Sequence, residues 1–134
     1  MRRKILPLTL ILIGLGVAAV AAAAGTLPPL KITEVSTDAS YGTEPNAIKT
    51  GGGMGDGVER EHIYLDQLRG PHGERVTYER QGSCCSFETP NGILGGGLLD
   101  IYVVKIEGGA TVKLYVNMYD YEAPKAPVGF TFAE

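Results

Sequence analysis

The sequence predicts an α+β fold, a small and mostly antiparallel β-sheet or sandwich of about five strands carrying one short helix. Three observations predict it. A run apolar on both faces precedes Gly108-Gly109 and a cleanly alternating one follows it, a capped helical stripe lies between Asp56 and Gly70, and the turns elsewhere are short and glycine-rich.

Leu30 to Ser36 alternates well enough for an early strand, set in an otherwise irregular segment over 25–57. Tyr41 to Asp56 reads as loop, with Pro45, Asn46 and Gly51-Gly52-Gly53. Gly55-Asp56-Gly57 lacks the lysine that a phosphate-binding loop requires. A helix is expected over roughly 58–69. Asp56 is placed to cap it with Glu59 three residues on, Gly70 to occupy C′, and Pro71 to stop it. Glu61, Tyr64, Leu65 and Leu68 follow helical spacing, and the last three form a narrow apolar stripe. After a Pro71-His72-Gly73 turn, Arg75 to Arg80 alternates as a strand. Leu98 to Glu107 is apolar on both faces, the pattern of an interior strand covered on each side. Gly108-Gly109 turns the chain, and Thr111 to Tyr119 answers as a second strand. Val112, Leu114, Val116 and Met118 share one of its faces. Val128 to Phe132 adds an edge strand.

The first 24 residues read as a secretory signal. Met1-Arg2-Arg3-Lys4 is basic, Ile5 to Ala24 is uncharged and mostly apolar, and the run ends in small residues suited to cleavage near Ala24. The competing reading is an uncleaved anchor, since about 20 apolar residues span a bilayer. Contact with a membrane is expected only in that case. No cysteine stands there to take a lipid. Residues 25–134 are then one exported domain, periplasmic or secreted. It keeps all 15 acidic residues and nine of the 12 basic ones, a net charge of −6. That balance argues against nucleic acid and against anionic lipid surfaces.

Cys84-Cys85 is the most distinctive pair. Neighbouring α-carbons are about 3.8 Å apart, closer than the roughly 4.4–6.8 Å of ordinary disulfides. Two thiols seldom stay free in an oxidising compartment. A vicinal disulfide, two buried thiols and bonds to another chain are the open choices. A ring that rigidifies a turn beside Gly82 competes with a redox switch. Thioredoxin-like exchange needs a C-x-x-C that is absent. Asn117, Tyr119 and Asp120 cluster at the end of the last long strand, and Asp100 lies one strand away. They are the candidate ligand-binding residues, with turn chemistry as the competing account. Glu59, His62 and Asp66 share a helix face that fits metal ligands less well than weak surface charge pairing. No residues are assigned as catalytic or metal-binding, and no cofactor is expected.

Several stretches together resemble a family of short exported bacterial proteins, many of them lipoproteins. The most specific are Gly82-Ser83-Cys84-Cys85-Ser86-Phe87-Glu88-Thr89-Pro90-Asn91-Gly92 and Asn117-Met118-Tyr119-Asp120. Leu65 to Glu74, Leu98 to Tyr102 and Pro127 to Phe130 add to it. In the family a proline often follows the second cysteine, where this chain has Ser86. Some members carry the label 2-dehydro-3-deoxyphosphooctonate aldolase. The synthase of that name resembles a TIM barrel, which needs at least roughly 200 residues. The resemblance therefore implies an exported single domain and supplies no reaction. The function expected is non-enzymatic, with an envelope protein or small ligand as partner. A redox-responsive protein is the alternative, and a hydrolase or lyase using His62, Asp66 and Asp120 the weaker one.

Overall fold

In a computed structural model, residues 26–134 are described, and the secretory leader expected over 1–24 lies outside them. The elements run β1 (Ile48–Lys49), α1 (Gly53–Asp66), β2 (Leu68–Arg69), β3 (Val76–Ile93), β4 (Gly96–Ile106), β5 (Thr111–Asn117) and β6 (Thr131–Phe132). A four-stranded sheet has the order β1-β5-β4-β3, and β2 pairs with β6 apart from it. All pairings are antiparallel except β1 with β5. This is the expected α+β class with one short helix. No helix among the described residues is long and apolar enough to cross a membrane.

The β4–β5 hairpin follows the alternation. Tyr102 faces Leu114 and Val104 faces Val112 across the ladder. Tyr102, Val104, Ile106, Leu114 and Val116 are buried beneath α1, which contributes Tyr64 and Leu65. Strand side chains alternate between faces, so Ile101, Val103 and Tyr115 lie on the opposite face, where they are only half-buried. The α1 side of β4 is therefore covered from Asp100 to Ile106, whereas the other face is buried at Leu99 and only half-covered at Ile101 and Val103, correcting the expectation of an interior strand sealed on both sides.

The helix starts earlier and ends earlier than its sequence signals suggest. Gly52 occupies the N-cap at φ +99°, a left-handed conformation that glycine adopts without a Cβ penalty. Asp56 falls in the first turn, where its charge favours the positive end of the helix, and it does not cap. The helix stops at Asp66 because Leu68 and Arg69 leave to pair with Phe132 and Thr131. Gly57 is buried against Met118, and a Cβ there would lie 2.8 Å from the methionine sulfur. Glycine thus lets α1 sit close over the end of β5.

Two further expectations change. Leu30 and Ile32 are buried, but their alternation marks burial in an extended segment, with only Val35 bridging Ala126. The strand expected at Arg75–Arg80 continues to Ile93, through both cysteines and Pro90. It does so with three breaks in register, between Arg80 and Gly82, between Cys84 and Phe87, and between Glu88 and Ile93.

Candidate functional site

The residues proposed from sequence divide between two places. Asn117, Tyr119 and Asp120 meet at the end of β5, beside the β3–β4 hairpin. Asn117 Oδ1 accepts the backbone N–H of Tyr119 (2.9 Å) and of Asp120 (3.0 Å). Asp120 in turn accepts from Thr89 Oγ1 (2.5 Å), Asn91 Nδ2 (2.9 Å) and Asn117 Nδ2 (2.9 Å). Burial alone would raise the Asp120 carboxyl, but these three donors, helped by Lys49, hold it below the usual range. Its charge is spent on fastening the hairpin to β5. The stability it adds is present above the ordinary Asp range and lost as pH falls through the lowered value.

Beside this staple, Phe87 and Tyr119 pack edge to face with ring centroids 6.1 Å apart. A cleft of about 230 Å³ opens there, lined by Pro45, Lys49, Phe87, Leu99, Asn117 and Asp120. Asp100 does not join it. Asp100 faces the helix side of the sheet and is 5% exposed.

There it belongs to a polar cluster that the sequence reading did not single out. Asp100 Oδ1 accepts from Arg80 Nε (3.1 Å) and Nη2 (2.8 Å) and from Ser83 Oγ (2.9 Å). Glu61 reaches down from α1 and is fully buried. Its Oε2 accepts from the Tyr102 hydroxyl at 2.7 Å, while its Oε1 is buried with no donor. Burial pushes the Glu61 carboxyl up to about 8, a rise that the Tyr102 hydrogen bond opposes and the neighbouring Asp100 reinforces. Burial and the bond to Glu61 likewise push Tyr102 well up. The sequence did hold a signal, because Glu61 occupies the stripe that Tyr64, Leu65 and Leu68 also mark.

His62 is exposed on α1, its ring 5.8 Å from that of Tyr78 and 6.2 Å from that of Tyr102. Tyr78 donates to Asp66 at 2.7 Å, and burial with that bond pushes its hydroxyl up to about 12. Among the described residues Asp66 is bonded to Tyr78, and Asp120 to Thr89, Asn91 and Asn117, so the two carboxylates share no hydrogen-bond partner. Among the described residues no group of three or more His, Cys, Asp or Glu side chains is placed to hold a metal.

Cys84 and Cys85 form a vicinal disulfide across a Cα–Cα distance of 3.7 Å. Cys85 sits at φ +61°, a left-handed conformation costing a non-glycine residue about 1–2 kcal/mol. It is an extra residue of a bulge, since Cys84 pairs with Leu99 and Phe87 with Gly97. The ring thus fixes a backbone shape that glycine ordinarily supplies. It stands between the two clusters, one residue from Ser83 and two from Phe87.

Comparison with protein-family models, curated proteins and solved structures found no match for this chain.

Proposed function

We propose that the protein is an exported, non-enzymatic domain of the cell envelope that binds a protein partner through its β3–β4 hairpin end. The observation that carries this reading is the apolar surface left uncovered there. Leu94 is fully exposed, and Ile93 and Leu98 are 62% and 48% exposed. The helix start abuts the hairpin, because a Cβ on Gly53 would lie 3.8 Å from the Asn91 carbonyl oxygen. Met54 and Val58 follow on α1, 69% and 52% exposed. Single exposed apolar side chains are ordinary on protein surfaces, but several gathered at one end mark an interaction site. Exposed Asp56, Glu59 and Glu88 flank them. The partner therefore offers an apolar centre with a basic rim. The carboxylates of Asp120 and Asp100 support a binding rather than a catalytic role, since internal donors already occupy them.

Photocrosslinking in cells exporting the full chain tests this. A crosslinker at position 94 is expected to give one discrete adduct, absent with the crosslinker at 111 and lost in Ile93→Asp/Leu98→Asp. Equal adducts from both positions, or none from 94, would overturn it.

A second reading is favoured by the bulge around Cys84 and Cys85. A dithiol reductant would give two electrons and two protons to the bridge, becoming a disulfide itself while both cysteines become thiols. A two-residue ring restrains little chain entropy, worth about 1 kcal/mol, so the effect stays local. Reduction is expected to speed amide exchange over residues 80–88 alone, with Cys84→Ser/Cys85→Ser reproducing the reduced pattern. Exchange there unaffected by either change would end the redox reading.

A further inference from the structure

We propose that one proton shared between Glu61 on α1 and Asp100 on β4 fastens the helix to the sheet, and that losing it loosens α1. The geometry leaves little alternative for Glu61. Its side chain is fully buried, Oε2 is satisfied by Tyr102, and Oε1 has no donor among the described residues. A buried acceptor without a donor is costly. The neighbouring charge is the Asp100 carboxyl, buried two residues before Tyr102 on the same face of β4 and itself only an acceptor when ionised. Two adjacent carboxylates can be reconciled by a proton between them.

The remaining neighbours decide which carboxyl carries it. Arg80 and Ser83 on β3 place three hydrogen bonds on Asp100 Oδ1, and the guanidinium forms an ion pair with it. Asp100 is thereby favoured as the anion, and Glu61 holds the proton and donates to it. From β4, Tyr102 adds a donor to Glu61 and no charge. From β5, Leu114 and Val116 lie on the same face, and neither titrates. On α1 itself the adjacent His62 points out over Tyr78 and Tyr102. No cation reaches Glu61 directly among the hydrogen bonds of the cluster, so ionisation would place two carboxylates together in a buried site with Arg80 paired to only one of them.

The direction with pH follows. Glu61 is held above its unfolded value of 4.5, so the native chain binds the extra proton between there and about 8. The stabilising contribution is complete below the unfolded value and is lost as pH rises through the folded one. Across that window one proton makes the unfolding constant rise about tenfold per pH unit relative to a chain lacking the group.

Glu61→Gln is the discriminating variant, because an amide can still accept from Tyr102 and donate to Asp100 without titrating. Urea unfolding of the purified protein is followed from acid to mildly alkaline pH. The ratio of wild-type to variant unfolding constants is expected to climb about tenfold per unit and level off near the folded value. In parallel, the Glu61 carboxyl carbon of the wild type, followed by NMR, is expected to titrate well above the ordinary glutamate range. A flat ratio, or a Glu61 carbon titrating like a surface glutamate, would overturn the proposal. Should the variant fail to fold, the wild-type titration decides alone.

Discussion

Tyr64→Ala is expected to cost about 4 kcal/mol of folding stability, the range for removing a large buried aromatic side chain. Tyr64 is 0% exposed and belongs to the core between α1 and the sheet. Its hydroxyl donates to the Lys125 carbonyl at 2.6 Å, and the Lys125 N–H donates to the Tyr41 hydroxyl at 3.0 Å. The same stretch exchanges backbone hydrogen bonds with 34–36, Ser36 N–H to Ala126 O and Ala126 N–H to Glu34 O. Losing the ring would undermine three chain segments that carry almost no regular structure of their own. Tyr64→Phe keeps the ring and is expected to cost only about 1–2 kcal/mol, from the Lys125 carbonyl left without its donor. A domain of this size has about 5–15 kcal/mol in all, so the alanine variant stands near its limit. Urea denaturation followed by circular dichroism measures both. Equal losses in the two variants would show that the hydroxyl, not the packing, carries the effect.

Gly92→Ala is expected to cost about 3 kcal/mol, at the upper end for forcing atoms into occupied space. A Cβ at Gly92 would run into the Gly96 carbonyl oxygen, lying 2.6 Å from its carbon and 3.0 Å from Thr89 Cγ2. The first obstacle is backbone and cannot rotate aside. Thr89 is pinned as well, since its N–H donates to Gly95 and its hydroxyl to Asp120. Gly95→Ala makes the control. Its φ is +78° but its Cβ would meet open space, so only the roughly 1–2 kcal/mol of left-handed strain applies. Amide chemical-shift changes in Gly92→Ala should centre on 87–97 and 117–120 and spare the region around Tyr64. Equal costs at the two glycines would refute the steric account.

Where physical rules act locally, the fold was legible in the residues. The β4–β5 hairpin follows from an apolar run before Gly108-Gly109 and period-two alternation after it, and Thr111–Asn117 lies within the strand expected there. The helix was expected because Tyr64 and Leu65 fall on one face, but its start was hidden. Gly51-Gly52-Gly53 has the composition of a loop, while tertiary packing makes Gly52 the cap and Gly53 the first helical residue. The length of β3 was hidden for a related reason. Gly82, the adjacent cysteines and Pro90 all look like strand breakers, and the bulges that accommodate the first of them exist only through pairing with β4. Of the candidate site, the Asn117-to-Asp120 turn was readable from its residue types, although its bonds to Thr89 and Asn91 were not. Asp100 could not be assigned from sequence, because the face it takes depends on the register with Val116. Glu61 was visible as a member of an apolar stripe, yet its hydrogen-bond partner Tyr102 lies 41 positions away by number and no local pattern announces it.

The placement of β1 and β3 at the margins of the sheet bears on how the molecule behaves in a crowd. A long, straight border invites another chain to add itself. β1 offers only Ile48 and Lys49, and β3 shifts register three times, the second time at the sulfur ring. Neither flank offers an incoming strand a long regular template. The bulge that carries Cys84 and Cys85 thus interrupts the border along which another chain would add itself.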